Sequence, residues 1–205
     1  MDLSLSVLSA VNECSVGPCE DGRNQGGTSM SEVVTSPNRG SQAKDVLVVV
    51  DSNVAAPASL ATYSLNLNLT PFPVGDTCSD TQPAITASTT LGSETLSGYT
   101  NDYSQFSQGC DFTSGPDRTY RVVIPPSQRL NARAFSSNDL RLSLIAGPAS
   151  NCETPIACIA QGAGFVGDTA LSFNNTTGTA QTVFLVVDRS SSTGSSYTLS
   201  INIAP

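Results

Sequence analysis

The sequence predicts an all-β protein built as an antiparallel β-sandwich or jelly-roll. Apolar and polar residues alternate with a period of two in short runs, and clusters of turn residues separate these runs. No window shows helical periodicity with caps. In addition, the apolar run "DVLVVVD" at 45–51 has a near copy, "TVFLVVD", at 182–188. We therefore expect about eight antiparallel strands in two sheets in the complete part of the chain.

Three consecutive runs in this part each place small or large apolar residues on one face. These residues are Tyr120, Val122 and Ile124; Leu130, Ala132 and Ala134; and Leu140, Leu142 and Leu144. The nearly continuous run "VFLVVD" is typical of a strand covered on both faces or at a sheet centre. "YTLSINI" at 197–203 alternates again, and earlier strands are expected near 84–87 and 90–97.

Four blocks of the sequence recur in the same order. "DLSLSVL" (2–8) matches "DLRLSLI" (139–145), and "CSVGPC" (14–19) falls where "CETPIAC" (152–158) falls. "VLVVVD" and "YSLNLNL" (63–69) match "VFLVVD" and "YTLSINI". Strands of any β protein can look alike, but four collinear matches indicate a structural repeat. The predicted organisation is a C-terminal half unit at 1–70, a linker at 71–75 and a complete unit at 76–205.

The half unit lacks a counterpart of everything between residues 75 and 138. We expect its first half to lie upstream of Met1, which is then an engineered or misplaced start. Its predicted strands, Leu3–Leu8, Val46–Val50 and Tyr63–Leu69, would normally pair with that missing half. Without that half, they are expected to be poorly ordered, to pack against the complete unit or to pair with another copy of the chain, because an unpaired strand edge readily pairs with another strand.

The net charge and the cysteine content limit the classes of binding partner and the cellular compartment that fit the sequence. The net charge is −8, the pI is about 4.2 and Lys44 is the one lysine, which disfavours nucleic acid or an anionic membrane as partner. No apolar run approaches the roughly 20 residues of a membrane helix, and "MDLSLSVL" does not read as a signal peptide. Six cysteines nevertheless indicate an oxidising compartment. We expect a secreted or cell-surface protein whose export signal lies upstream.

The repeat also suggests how the cysteines pair. Cys14 has only Cys19 within its own half unit, so these two are expected to form a local disulfide, and Cys152 and Cys158 the equivalent one. Cys78 is then left for Cys110. The alternative is a zinc site, but the C-x4-C and C-x5-C spacings and the absence of histidine disfavour it.

The absence of histidine removes most hydrolytic chemistry. Ser-His-Asp and Cys-His nucleophile activation and histidine-bound metals are excluded. A hydrolase that works with carboxylates alone stays as a remote alternative, although the acids occupy turn contexts in which aspartate caps turns. No cofactor is expected except calcium, whose candidate ligands in the loops are Asp76, Asp80, Asp102, Asp111 and Asp117. Turn capping is the favoured interpretation of these residues.

Four arginines share the outward parity of three successive strands: Arg121, Arg129, Arg133 and Arg141. If those strands pair, the arginines form a basic strip that suits an acidic polysaccharide or a carboxylate-rich protein. The favoured alternative is an ordinary solvated sheet face with local aspartate partners.

The order "GDTCSD … TLSGYTNDYS … C … GPDRTYRVVIPPSQRL … NDLRLSLI … C … C … VFLVVD … YTLSINI" resembles the bacterial pre-peptidase C-terminal (PPC) domain, in its disulfide-containing variety from secreted bacterial proteins. The resemblance covers 75–203 fully and 2–69 as a truncated copy. It implies a β-sandwich appended to secreted enzymes or adhesins that does no chemistry itself. The expected function is therefore a non-catalytic extracellular accessory or adhesion module that binds polysaccharide or matrix protein. The alternative is a structural spacer without a ligand.

Overall fold

A computed structural model describes residues 3–9, 19–24, 31–38, 42–52, 62–80, 83–103, 110, 112–153, 156–165, 167–189 and 196–205. The chain divides into two compact units, Met1–Asn68 and Leu69–Pro205. The described residues are almost entirely strand and loop, and their one helical element is a single 3-10 turn, Ala149–Cys152. No helix in the described parts of the chain is long and apolar enough to cross a membrane.

The first unit contains one three-stranded antiparallel sheet. Its strands are β1 (Leu3–Ser9), β2 (Cys19–Arg23) and β3 (Val46–Ser52). β1 is central and pairs with β2 on one side and β3 on the other. β1 and β3 carry the alternating and continuous apolar runs that predicted them, so the strands expected at Leu3–Leu8 and Val46–Val50 are present.

The second unit contains nine described strands in two antiparallel sheets. In chain order they are β4 (Thr89–Thr95), β5 (Asp117–Ile124), β6 (Arg129–Ser136), β7 (Leu140–Ala146), β8 (Cys158–Gln161), β9 (Ala163–Phe165), β10 (Gly167–Asn174), β11 (Gln181–Arg189) and β12 (Ser196–Ala204). One sheet has the order β4-β12-β6-β10-β9 and the other has the order β5-β11-β7-β8. These are the sheets of a β-sandwich, as the alternation in the sequence predicted.

The main core of the second unit lies between the two sheets. It is formed by the inward side chains of both, including Leu130 and Ala132 of β6 and Leu142 and Leu144 of β7, which are fully buried. All nine residues predicted to share the inner face of β5, β6 and β7 are buried. Burying this apolar surface is the dominant stabilising contribution to a sandwich of this size.

A second core covers the outer face of the β5-β11-β7-β8 sheet. Loop residues Cys78, Tyr103, Cys110 and Phe112 pack on the outward side chains of β7 and β11, which include Ile145, Phe184 and Val186. The sheet is therefore covered on both faces. This explains why seven successive residues of β11, Val183–Arg189, are buried, and it confirms the interpretation of "VFLVVD" as a strand with two covered faces.

The disulfides of the second unit differ from the predicted pairs. Cys78 is bonded to Cys152 with the Cα atoms 6.2 Å apart, and Cys110 is bonded to Cys158 at 5.8 Å. The predicted Cys78–Cys110 and Cys152–Cys158 pairings are thus wrong. Each bridge instead joins the loop layer to the segment around β8 beneath it. Spacing along the chain cannot show this, because the bonded cysteines meet only when the layer folds over the sheet.

In the first unit, Cys19 is exposed and is the one cysteine among the described residues outside a disulfide. Cys14 lies outside those residues, and the structure, in which the Cys19 thiol is free, does not show the predicted Cys14–Cys19 disulfide.

Several observed strands also differ from the predicted ones, either in position or because they were not predicted. Residues 84–87 contribute only a single bridge, between Ile85 and Val122, and the described residues 62–69 form no strand. The counterpart of 62–69 is β12, which pairs with β4 and β6, and the described residues of the first unit include no equivalents of those strands. β8, β9 and β10 (158–174) were not predicted, since glycines and polar residues interrupt their alternation.

The expected linker at 71–75 is partly integrated into the second unit. The backbone oxygen of Gly75 accepts a hydrogen bond from the Thr119 amide at 2.7 Å, and that of Val74 accepts one from the Tyr99 hydroxyl at 3.0 Å. The structure places the boundary between the two units at Asn68 and Leu69.

The two units pair their equivalent strands in the same order. β2-β1-β3 in the first unit corresponds to β8-β7-β11 in the second. Leu3 pairs with Ser52 and Ser9 with Val46, and the residues 137 positions later pair likewise, Leu140 with Arg189 and Ala146 with Val183. The irregularity between Val7 and Leu8 recurs between Leu144 and Ile145. Seven shared pairs and a shared bulge support the sequence repeat.

Candidate functional site

A recess lies in the second unit where the loop after β4 and the loop before β5 meet. It has a volume of about 290 Å³ and is lined by residues of two loops: Leu96, Ser97, Gly98, Tyr99, Asn101, Ser114, Gly115 and Pro116. None of these residues carries a charge. Ser97, Asn101 and Ser114 are exposed, so the recess offers hydroxyl and amide groups next to an aromatic ring.

An arginine and three tyrosines support the wall of this recess. The guanidinium of Arg118 lies over the rings of Tyr99 and Tyr120, 5.1 and 4.8 Å from their centroids, and it forms an ion pair with Glu94 of β4. The Tyr120 and Tyr197 hydroxyls share a hydrogen bond of 2.6 Å inside the core. Cation–π contacts and an ion pair together hold Arg118 in one orientation, so Tyr99 is fixed against its neighbours.

Burial raises the pKa of both core tyrosines. For Tyr120 desolvation is the largest cause, followed by its proximity to Tyr197. For Tyr197, desolvation again raises the pKa most. Both hydroxyls therefore stay protonated at neutral pH, and they act as hydrogen-bonding groups of the core.

Beneath the recess, acidic side chains hold the loops by accepting hydrogen bonds. Asp76 accepts from the Thr100 amide at 2.9 Å, and Asp117 accepts from the amides of Asp102 and Tyr103 at 2.9 and 3.0 Å. Thr100 also donates its hydroxyl to Asp102 at 2.8 Å. The Asp76 and Asp117 contacts join segments 14 to 24 positions apart in the chain, so these two acids anchor loops to one another and do not cap their own turns.

Two of the buried acids have raised pKa values. Desolvation raises the pKa of Asp117 to about 8, against the opposing effect of two amide hydrogen bonds. Desolvation also raises the pKa of Asp188 to about 6, although the Thr113 amide and hydroxyl donate to it. Both side chains are fully buried. A raised pKa can mark a catalytic acid, but these carboxyls have no surface with which to meet a substrate.

The predicted calcium ligands are only partly brought together. Asp76, Asp102 and Asp117 share one loop network through Thr100 and backbone amides, whereas Asp80 caps its own turn by accepting from the Thr77 amide at 2.8 Å. Asp111 lies outside the described residues. Within the described part of the chain, no three cysteine, aspartate or glutamate side chains are grouped closely enough to hold a metal ion.

The predicted arginine strip is not assembled. The strip required β5, β6 and β7 to pair with one another. Instead, β6 belongs to one sheet, and β5 and β7 belong to the other, where β11 lies between β5 and β7. Arg129 and Arg133 are thus on a different layer from Arg121 and Arg141. Arg133 pairs with Asp168, and Arg141 lies 3.8 Å from Asp139. Arg133 and Arg141 thus have the local aspartate partners of the favoured alternative.

The sequence pattern did not predict a binding site at the residues that shape the recess. Tyr99, Arg118, Tyr120 and Tyr197 lie on three segments, and only Arg118 and Tyr120, both on β5, are near each other in the chain. The available signal was the parity of Arg118, which differs from that of Arg121 and places it on the other face of β5. No protein-family model, no curated protein and no solved structure matches the chain.

Proposed function

We propose that the protein is a non-catalytic extracellular β-sandwich module of the PPC type, part of a secreted or cell-surface protein, and that it binds a neutral polysaccharide. The observation that carries this proposal is the uncharged recess between two loops of the second unit. An aromatic side chain with a few convergent hydroxyl and amide groups is the usual composition of a small polar ligand's site.

The surroundings of the recess support a rigid binding surface. The loop layer that leads to it is attached to the sheet by Cys78–Cys152 and Cys110–Cys158. A preformed site loses little conformational entropy when it binds a ligand. The disulfides also support an oxidising, extracellular location.

A neutral ligand is favoured over the acidic one that an arginine strip would suit. The lining of the recess contains no charged residue, and Arg118 beside it is already paired with Glu94. The chain has a net charge of −8, which repels polyanions.

The proposal also includes the sequence repeat: the chain contains one complete module and one half module. We take Met1–Asn68 to be a second, half unit of the same kind, supported by the four sequence blocks and by the strand pairs that the two units share. The raised pKa values of Asp117 and Asp188 come from burial, which fits a structural role for these two acids.

The test is binding of the full chain to soluble glucans, mannans and galactans, measured by affinity electrophoresis. We expect retardation by at least one of these polymers and its loss in Asn101→Ala and Ser114→Ala. Asn202→Ala is the matched control, because Asn202 is an exposed asparagine on β12 and lies outside the recess. Unretarded migration in all polymers would instead favour the spacer function, and equal effects of Asn101→Ala and Asn202→Ala would place the binding surface elsewhere.

A further inference from the structure

The outer edge of β11 is paired in the second unit, whereas the equivalent edge of β3 has no partner among the described residues of the first unit. β11, the counterpart of β3, pairs with β7 on one side and with β5 on the other. β3 pairs with β1 on the equivalent inner side, and in the described part of the chain it is the edge strand of its sheet. An edge strand offers a row of backbone donors and acceptors to another extended chain.

The side chains along this edge are exposed where their counterparts are buried. Val46 and Val49 are 37% and 41% exposed, whereas the equivalent Val183 and Val186 are 1% and 0% exposed. Asp51 is also exposed, and its counterpart Asp188 is fully buried. Apolar strand residues that stay in water forgo the stabilisation of burial, which a covering segment would restore.

Three contacts of the second unit show what covers the equivalent surface. β11 pairs with β5 over eight residues, Asp188 accepts the Thr113 amide and hydroxyl, and Cys158 is bonded to Cys110. All three partners come from one stretch of chain, 110–124. The three groups that these partners contact have counterparts in the first unit. The β3 edge corresponds to the β11 edge, Asp51 to Asp188, and the exposed thiol of Cys19 to Cys158.

We propose that the first unit binds an extended polypeptide segment with the chemistry of residues 110–124, supplied by the first half of another unit of this kind. The segment adds a strand to β3 in the antiparallel register of β5 on β11. Its hydroxyl residue donates to Asp51, and its cysteine bonds to Cys19. Strand addition to a sheet edge, with side chains that set specificity, is a known mode of peptide recognition.

The disulfide step needs an oxidant. The Cys19 thiol and the thiol of the segment each lose one proton and one electron, the S–S bond forms between them, and a small-molecule disulfide such as oxidised glutathione is reduced to two thiols.

A second copy of this chain is not the occupant. Its own residues 110–124 are already engaged, since Cys110 is in a disulfide and β5 is paired with β11 along its length. The segment must therefore come from a half unit whose partner strands are not yet covered.

The experiment adds a fluorescent peptide with the sequence of residues 110–126 to the full chain and follows anisotropy without reductant, so that the disulfides of the second unit stay intact. The peptide carries Cys110→Ser in this assay, and the unchanged peptide is used in the redox experiment. We expect saturable one-to-one binding. Asp51→Asn should weaken it by about tenfold or more, because a carboxylate accepts stronger hydrogen bonds than an amide. Asp45→Asn, one exposed aspartate before the strand, should bind like the unchanged chain. In a glutathione redox buffer, a covalent adduct should map to Cys19.

Changes in the peptide test the proposal without altering the fold of the chain. A peptide with Val122→Pro, which cannot pair as a strand, and a scrambled peptide should both fail to bind. The proposal is overturned if the scrambled peptide binds equally well, if Asp51→Asn and Asp45→Asn behave alike, or if light scattering shows dimers that the peptide does not dissociate. None of these outcomes depends on polysaccharide binding by the second unit.

Discussion

Asp117 on β5 and Asp188 on β11 lie directly opposite each other in the sheet, and both are fully buried. Each accepts hydrogen bonds from a different loop, Asp117 from the amides of Asp102 and Tyr103 and Asp188 from Thr113. The loop layer is therefore anchored to the sheet by two adjacent acids as well as by two disulfides. Two carboxyls so placed cannot both ionise without cost, which makes the second unit sensitive to pH.

The second unit should lose stability as the pH rises from about 4 to about 8. Desolvation raises the pKa of folded Asp117 to about 8 and that of Asp188 to about 6, so over this range the folded chain keeps protons that the unfolded chain has released. Folding then takes up protons, and the free energy of unfolding falls with rising pH. Thermal unfolding followed from pH 4 to pH 9 measures this slope.

Asp117→Asn should flatten that pH dependence. The amide oxygen of asparagine can still accept from the two loop amides, while the group no longer ionises. We expect the variant to be more stable than the unchanged chain at pH 8 to 9 and close to it near pH 4. Asp168→Asn, a change at an exposed carboxylate of β10, is the control and should leave the slope intact. A slope that survives Asp117→Asn would show that other groups cause it.

Peptide mapping without reduction should find Cys78 joined to Cys152 and Cys110 joined to Cys158. The paired substitution Cys110→Ser with Cys158→Ser should lower the free energy of unfolding by about 4 kcal/mol, since the bridge spans 48 positions and constrains the unfolded chain. Thermal unfolding of the variant measures the loss. Recovery of a peptide that joins Cys152 to Cys158 would contradict the crossed arrangement of the loop layer.

Removing one hydroxyl of the buried tyrosine pair should cost more at Tyr120 than at Tyr197. In Tyr120→Phe the Tyr197 hydroxyl loses its partner, at a cost of about 1 to 3 kcal/mol. In Tyr197→Phe the Tyr120 hydroxyl keeps Glu94, 3.3 Å away. Urea unfolding of both variants and of the double variant tests this order. The double change should cost less than the sum of the single ones, because it removes both polar groups together.

Gly162→Ala should destabilise the second unit because the backbone there is too close for a side chain. A Cβ at Gly162 would lie 2.7 Å from the Ala170 oxygen and 3.1 Å from the Leu142 Cβ. Relieving such overlap costs roughly 1 to 3 kcal/mol. Gly178→Ala is the matched control, since nothing lies within 4 Å of its Cβ position. Equal unfolding midpoints for the two variants would mean that β8 and β10 separate easily at Gly162.

Local patterns in the sequence determined the fold class and most strands. Alternation placed β5, β6, β7 and β12 and identified their buried faces, because each strand's two faces are set by neighbouring residues alone. The collinear repeat located β1 and β3, but it did not predict that they pair with each other, since their partners were expected in a missing half. The continuous apolar run of β11 likewise indicated a strand that is covered on both faces.

Only the tertiary structure decided which segments meet. The disulfide partners, the division of the four arginines between two sheets and the recess at Tyr99 all depend on contacts between residues far apart in the chain. The sequence carries no local signal for such contacts, because a strand with the right alternation can join either sheet. β6 joins one sheet and β5 and β7 the other, and a loop layer then folds over the second, which separates the arginines and brings Cys78 to Cys152.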